Sequence, residues 1–143
     1  MEGILGITGA SGSIYGIRLM QNLKGKIHLI VSESAKKIIN DETNYDLNKL
    51  NEYAYKTYSN SEMNASVASG SYQFDYMIIC PASISTISKI AVGIQDNLIT
   101  RAAAVSLKEK RKLIIVPRET PLTSINLKSM ATLSDEGAVI LPA

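Results

Sequence analysis

The sequence predicts an α/β domain built on a mostly parallel sheet with helices on both faces. Two observations carry this reading. Short apolar runs alternate with segments of helical period along the chain, and glycine- or hydroxyl-rich turns follow the carboxyl ends of those runs. The 143 residues are enough for one domain with a real core, spanning 1–143, and too few for two of ordinary size.

The first strand is expected at Ile4–Thr8, followed by the turn Gly9-Ala10-Ser11-Gly12 and a helix over Ser13–Leu23. In that helix Ile14, Ile17, Leu19, Met20 and Leu23 cover one face. Gly9 and Gly12 permit backbone angles that residues with a Cβ resist, Ser11 and Ser13 suit a helix cap, and the free first-turn N–H groups point at one small volume. Two readings of this turn stand side by side: a phosphate cradle, or an ordinary strand-to-helix turn. Gly16, one turn into the helix, suits close packing on the sheet or close approach to a ligand. Lys24-Gly25 ends the helix, and Lys26–Val31 is the second strand. His28 lies inside that strand and reads as a structural or surface residue rather than a ligand.

Ser32 and Ser34 follow, with a short helix over Ala35–Asn40 that stops at Asn40-Asp41-Glu42-Thr43. Ligands of open parallel sheets bind outside the carboxyl ends of the strands, so Ser32 belongs to the same rim as Ser11. Glu42 is able to return to that rim, although by itself it reads as a solvated helix-end carboxylate. Residues 44–73 form a polar, tyrosine-bearing excursion with one short helix over Leu47–Ala54 and one edge strand.

Regularity resumes with a strand at Tyr76–Cys80, where Pro81 is expected to stop the ladder. Ser83, Ile84, Ser85 and Thr86 then open a helix running from about Ile87 to Val92. Cys80 reads as a core residue at the strand end. Asp96-Asn97 caps a helix to about Lys110, which puts Arg101 and Lys108 on one face, either as a phosphate clamp or as a solvated basic stripe. Lys112–Val116 is a further strand, ended by Pro117, with Arg118 and Glu119 at its carboxyl end. Thr120-Pro121 starts a helix through Met130 to about Leu133, and Val139–Leu141 is the last strand.

Composition narrows the function classes. Hydrophobic residues make up 45% and charged residues 20%, a globular balance, and no apolar run approaches the roughly 18 residues of a membrane span. A net charge of +2, with one basic cluster at Lys108–Lys112, argues for a small anion as partner and against nucleic acid. The first residues enter a strand with no basic leader, so a cytoplasmic setting is expected. Cys80 and His28 are single, which leaves no intramolecular disulfide and no His/Cys metal set. Ser11, Ser32, Ser83–Thr86, Arg101, Arg118 and Glu119 are expected at one rim, a set suited to a mononucleotide and a small anionic substrate. NAD competes, but its G-x-G-x-x-G fingerprint is replaced here by G-x-x-G-x-x-x-G, despite Glu33 near the position of the usual acid. The Tyr45-x-x-x-Lys49 spacing lies in the excursion and reads as coincidence.

Several motifs in order carry a family likeness: Thr8-Gly9-Ala10-Ser11-Gly12 with Tyr15-Gly16; Cys80-Pro81-Ala82-Ser83-Ile84-Ser85-Thr86; Asp96-Asn97-Leu98-Ile99-Thr100-Arg101-Ala102-Ala103 with Leu107-Lys108-Glu109; Val116-Pro117-Arg118-Glu119-Thr120-Pro121-Leu122; and Gly137–Ala143. From residue 3 to the end the chain resembles the UbiX-type flavin prenyltransferases, often labelled aromatic acid decarboxylases or carboxy-lyases. The resemblance implies a Rossmann-like flavoprotein fold and transfer of a dimethylallyl group from dimethylallyl phosphate to reduced FMN, giving the prenylated flavin used by a UbiD-type decarboxylase. In such a reaction flavin N5 attacks the allylic carbon as phosphate leaves, and a second bond from C6 closes a ring with loss of a proton.

Carried over by position, the resemblance sets FMN against Gly9, Ala10, Ser11, Ser32, Ser83, Ile84, Ser85, Thr86 and Arg101, and makes Lys108 and Arg118 ligands of the prenyl phosphate. Ser11, Glu42 and Glu119 are the implied catalytic residues, and no metal is required. It also implies trimer-based assemblies up to dodecamers with the site between subunits. Members of the family continue past the Leu-Pro-Ala stretch into a segment with a phosphate-binding tyrosine and arginine and a final helix, so this 143-residue chain is expected to lack that helix. Two other readings stay open: a non-catalytic FMN-binding or assembly subunit, and a flavin-dependent decarboxylase of the same superfamily. The cysteine decarboxylases among the latter use a helix-borne histidine that His28 cannot replace.

Overall fold

Strands whose residues are apolar on both sides must be covered on both sides, and that requirement organises this chain. The computed structural model describes residues 1–143. Six strands run through it: β1 (Glu2–Ile7), β2 (Lys26–Val31), β3 (Lys56–Ser59), β4 (Tyr76–Ala82), β5 (Lys112–Pro117) and β6 (Val139–Ile140). Five helices join them: α1 (Ser13–Asn22), α2 (Glu33–Glu42), α3 (Ile84–Ala91), α4 (Leu98–Lys108) and α5 (Ser124–Asp135). The sheet has the order β3-β2-β1-β4-β5-β6, and every neighbouring pair is parallel.

The period of two along each strand divides the core. Leu5, Ile7, Leu29, Val31, Ile78 and Cys80 face α1 and α2, whereas Ile4, Ile30, Met77, Ile79, Leu113 and Ile115 face α3, α4 and α5. Each fully buried Leu, Ile or Met contributes about 1.5–3 kcal/mol. The strand order reverses on either side of β1 and β4, so the carboxyl ends of these two strands open the crevice where ligands of such sheets bind.

The expected elements are present, with shifted boundaries. Helix α2 runs from Glu33 to Glu42 instead of Ala35 to Asn40, because Ser32 Oγ accepts from the Ala35 N–H and starts the helix two residues earlier. Helix α3 begins at Ile84 rather than Ile87 through the same device at Ser83. The excursion holds the edge strand β3 and two 3-10 turns, Leu47–Glu52 and Ser66–Ala68. Pro81 does not stop the ladder: β4 continues to Ala82, which pairs with Pro117 past an irregularity that begins after Ile79. The proline, which has no N–H to give to the ladder, falls within that irregularity, and its carbonyl accepts from both the N–H (3.2 Å) and the hydroxyl (2.8 Å) of Thr8. Helix α5 starts at Ser124 rather than Thr120, with Thr123 and Asn126 forming a reciprocal cap.

Candidate active site

The turn after β1 is shaped by space as much as by backbone angle. Gly12 is left-handed (φ 85°), the conformation a glycine tolerates, and is itself the residue preceding α1. Gly9 has no positive φ and is required for a different reason: a Cβ there would lie 2.4 Å from Ser34 Oγ. Gly16 packs α1 onto the sheet, where a Cβ would stand 2.4 Å from the Cys80 carbonyl oxygen. Of the two uses open to Gly16 from the sequence, close packing is the one observed.

Neither Ser11 nor Ser13 caps α1. The free N–H groups of its first turn are taken by Glu42, which arrives from the end of α2. Its Oε1 accepts from the Gly12 N–H (3.2 Å), the Ser13 N–H (3.2 Å) and the Ser13 hydroxyl (2.9 Å), while Oε2 lies 3.3 Å from the Gly12 N–H. The position offered to a phosphate is therefore filled by a carboxylate of the same chain. Burial of part of this carboxyl opposes its ionisation, but the donors from Ser13 and Gly12, with the Arg118 charge, outweigh that and hold the pKa below the usual glutamate value. Glu42 is thus ionised near neutrality and fixed against α1.

Arg118, just past the end of β5, reaches across to this turn. Its guanidinium lies 3.4 Å from Ser11 Oγ and 5.7 Å from the Tyr15 ring centroid. Ser11, Gly12, Ile14, Tyr15, Glu42 and Arg118 share a hollow of about 430 Å³. A second hollow of about 270 Å³ adjoins it through Ser11 and Arg118 and takes in Glu119 and Thr120. Glu119 is exposed, and its carboxylate accepts from the neighbouring Thr120 N–H.

The turn after β4 is tied to the same place by Thr8. The Thr8 hydroxyl donates to the Pro81 carbonyl and accepts from the Ser83 N–H at 2.7 Å. Ser83 Oγ accepts from the Thr86 N–H and donates to Thr86 Oγ1, so both hydroxyls serve the start of α3, while Ser85 is exposed and Ile84 half-buried. Ser32 is nearly buried, with its hydroxyl committed to α2. Cys80 is a core residue, its thiol pushed up to about 11 by burial, which removes it as a nucleophile.

Arg101 and Lys108 share a face of α4, yet neither bonds to the group around Ser11. Arg101 Nε donates to the Ala68 carbonyl (3.0 Å) and its NH1 to Gln95 Oε1 (2.6 Å), whereas Lys108 pairs with Glu109 at 3.5 Å. The chain thus brings together Ser11, Glu42 and Arg118, with Glu119 beside them, and holds Arg101 and Lys108 in a separate basic group. Two contributors escaped sequence reasoning, Thr8 and Tyr15. Both lie within the motif that drew attention to the turn, and a threonine ending a strand beside a glycine turn was the available signal for the first.

Residues 2–143 match the flavoprotein family. A curated protein of Thermoplasma acidophilum named flavin prenyltransferase UbiX is 50% identical over 144 residues, covering 100% of this chain and 80% of that protein. A crystal structure of AnUbiX (PadA1) in complex with FMN and dimethylallyl pyrophosphate is 38% identical, with a TM-score of 0.95 over 99% of this chain and 77% of that one. The dodecameric FMN-dependent UbiX-like decarboxylase from Escherichia coli O157:H7 is also 38% identical, with a TM-score of 0.95 over 99% of this chain and 80% of that one. With this identity and this likeness of fold, the chain belongs to the flavoprotein family and, within it, to the UbiX-type flavin prenyltransferases.

Proposed function

We propose that this protein is a flavin prenyltransferase that moves a dimethylallyl group from dimethylallyl phosphate to reduced FMN, making prenylated FMN for a UbiD-type decarboxylase. The observation that carries the reading is the convergence of Ser11, Glu42 and Arg118 on one hollow at the carboxyl ends of β1 and β5. A hydroxyl, an ionised carboxylate and a cation there match the needs of flavin positioning, proton removal and phosphate departure.

The residues present fit a flavin. A Cβ at Gly9 would collide with Ser34, so the backbone of the turn past β1 runs bare there, the Ser11 hydroxyl is exposed beside it, and the adjoining hollow has the scale of a small-ligand site. FMN, when bound in reduced form, supplies the nucleophilic ring positions for the prenyl group. Around it, Gly9, Ala10, Ser11, Ser32, the Ser83-Ile84-Ser85-Thr86 turn and Arg101 are the binding groups, with Ser11 facing the reacting ring. Arg118 and Lys108 stabilise the phosphate as the allylic C–O bond breaks, because a cation held in place beside the leaving oxygens opposes the charge that develops there. Glu42 accepts the proton lost on ring closure. The donors that keep it ionised also weaken it as a base, so it suits a proton already made acidic by the flavin. Glu119, free of such donors apart from the Thr120 N–H, is the alternative base.

We infer a homo-oligomer, trimer-based and extending to a dodecamer, in which the α4 cations of one copy serve the rim of another; the dodecameric UbiX-like relative and the absence of a bond from Arg101 or Lys108 to the Ser11 group support it. No helix is long and apolar enough to cross a membrane. The decisive experiment supplies reduced FMN and dimethylallyl phosphate to the protein without oxygen. The expected product is a flavin heavier by one prenyl group. Bound FMN without that mass gain would favour a binding or assembly subunit, and no bound flavin would reject both readings.

A further inference from the structure

One cluster of titratable groups, gathered around a buried histidine, takes no part in the rim site. His28 in β2 is 1% exposed, with Nε2 2.7 Å from Glu2 Oε2 and Nδ1 2.9 Å from the Tyr58 hydroxyl. The Tyr72 hydroxyl donates to the same Glu2 oxygen. The rings of Tyr55, Tyr58 and Tyr72 enclose the imidazole at centroid distances of 5.4, 5.7 and 5.6 Å. Tyr72 and His28 hold the Glu2 carboxyl below the usual glutamate range, and Glu2 together with burial pushes the Tyr72 hydroxyl up to about 12. The pair therefore stays carboxylate and phenol across the neutral range.

The anchoring of Tyr72 extends to its main chain. The Tyr72 and Gly70 carbonyls accept from the two terminal nitrogens of Arg111, at 2.9 and 2.8 Å, and the Ala68 carbonyl accepts from Arg101 Nε. A Cβ on Gly70 would lie 2.6 Å from Glu109 Oε1 and 3.2 Å from Lys108 Nζ. Residues 68–72 thus form a shelf that is bonded to Arg101 and passes close to Lys108, whose own partner is Glu109, and that is fastened at one end to β1 and β2 through Tyr72.

We propose that Tyr72 is a positioning residue: bonded to Glu2 and backed by His28, it fixes the 68–72 shelf and so sets Arg101 and Lys108 for their phosphate ligands. This rests on the reading that Arg101 holds FMN and Lys108 the prenyl phosphate. Tyr72→Phe keeps the ring and removes the donor, and Glu2→Gln keeps an acceptor for Tyr72 and serves as the conservative variant.

For Tyr72→Phe the expected result is a KM for dimethylallyl phosphate raised about five- to tenfold with kcat within about twofold of wild type, the signature of lost binding without lost chemistry. Amide exchange over residues 68–72 of the flavin-free protein is expected to quicken at least about tenfold, and Glu2→Gln to fall between. An unchanged KM overturns the proposal, whether or not exchange quickens, and so does unchanged exchange. If the wild type transfers no prenyl group, the functional reading fails. Calorimetric affinity for dimethylallyl phosphate then replaces KM: weaker binding by Tyr72→Phe supports the positioning role, while equal binding, or none by the wild type, overturns it.

Discussion

Two glutamates mark opposite ends of β1 and are kept ionised by different means. At the far end Glu2 is held by side chains from distant parts of the sequence, His28 and Tyr72. At the rim Glu42 is held largely by backbone N–H groups of the turn at Gly12-Ser13. Side-chain donors from separate elements lock those elements together, which suits Glu2 to a structural task. Backbone donors in a turn leave one side of the carboxylate open to the hollow, which suits Glu42 to chemistry. The same division appears in the arginines: Arg111 is spent on main-chain carbonyls, whereas Arg118 leans on Tyr15 and points at Ser11.

The most severe test of this contrast is Glu42→Gln. On the proposed role of Glu42 as proton acceptor, the substitution should slow prenylated-flavin formation about 10²–10⁴-fold while flavin binding persists, measured by single-turnover mass analysis. Retained turnover there, with loss in Glu119→Gln, would transfer the role to Glu119. Next in size is a pair of glycines. Gly16→Ala drives a Cβ against the Cys80 carbonyl, which cannot swing aside, and should cost about 2–3 kcal/mol by denaturant midpoint. Gly3→Ala at the other end meets first the half-buried ring of Tyr76, a side chain rather than a backbone atom, so a smaller cost of about 1 kcal/mol is expected. Equal costs would show that the rim is no more tightly built than the far end.

Ser11→Ala should slow chemistry about tenfold with flavin content unchanged, whereas Arg101→Ala should lower flavin content in the purified protein. Unchanged turnover and flavin content in both would remove these residues from the site. The smallest effect concerns acid. The folded pKa of Glu42 lies below its ordinary 4.5, so its contribution to stability is complete above that value and is lost as pH falls through the lower folded value. Acid titration of Glu42→Gln should therefore show a shallower loss of stability just below pH 4.5 than wild type.

Sequence alone determined the fold class, the order of strands and helices and the residues of the rim turns, because these depend on local signals. Apolar period distinguishes strand from helix, Ser32, Ser83 and Asn97 start helices, and Gly12 marks a left-handed turn. What each polar side chain does was decided by the tertiary structure. The first turn of α1 presents the same N–H groups to a phosphate or a carboxylate, and only the return of α2 brings Glu42 to fill it. Arg101 and Lys108 are placed on one helix face by their spacing, but which rim they face depends on how α4 lies against residues 68–72. His28 is bland in the sequence and becomes the hub of three tyrosines and a glutamate once β1, β2 and β3 are laid side by side. Hydrogen bonds between residues dozens of positions apart leave no trace in local composition, since either partner alone is satisfied by water.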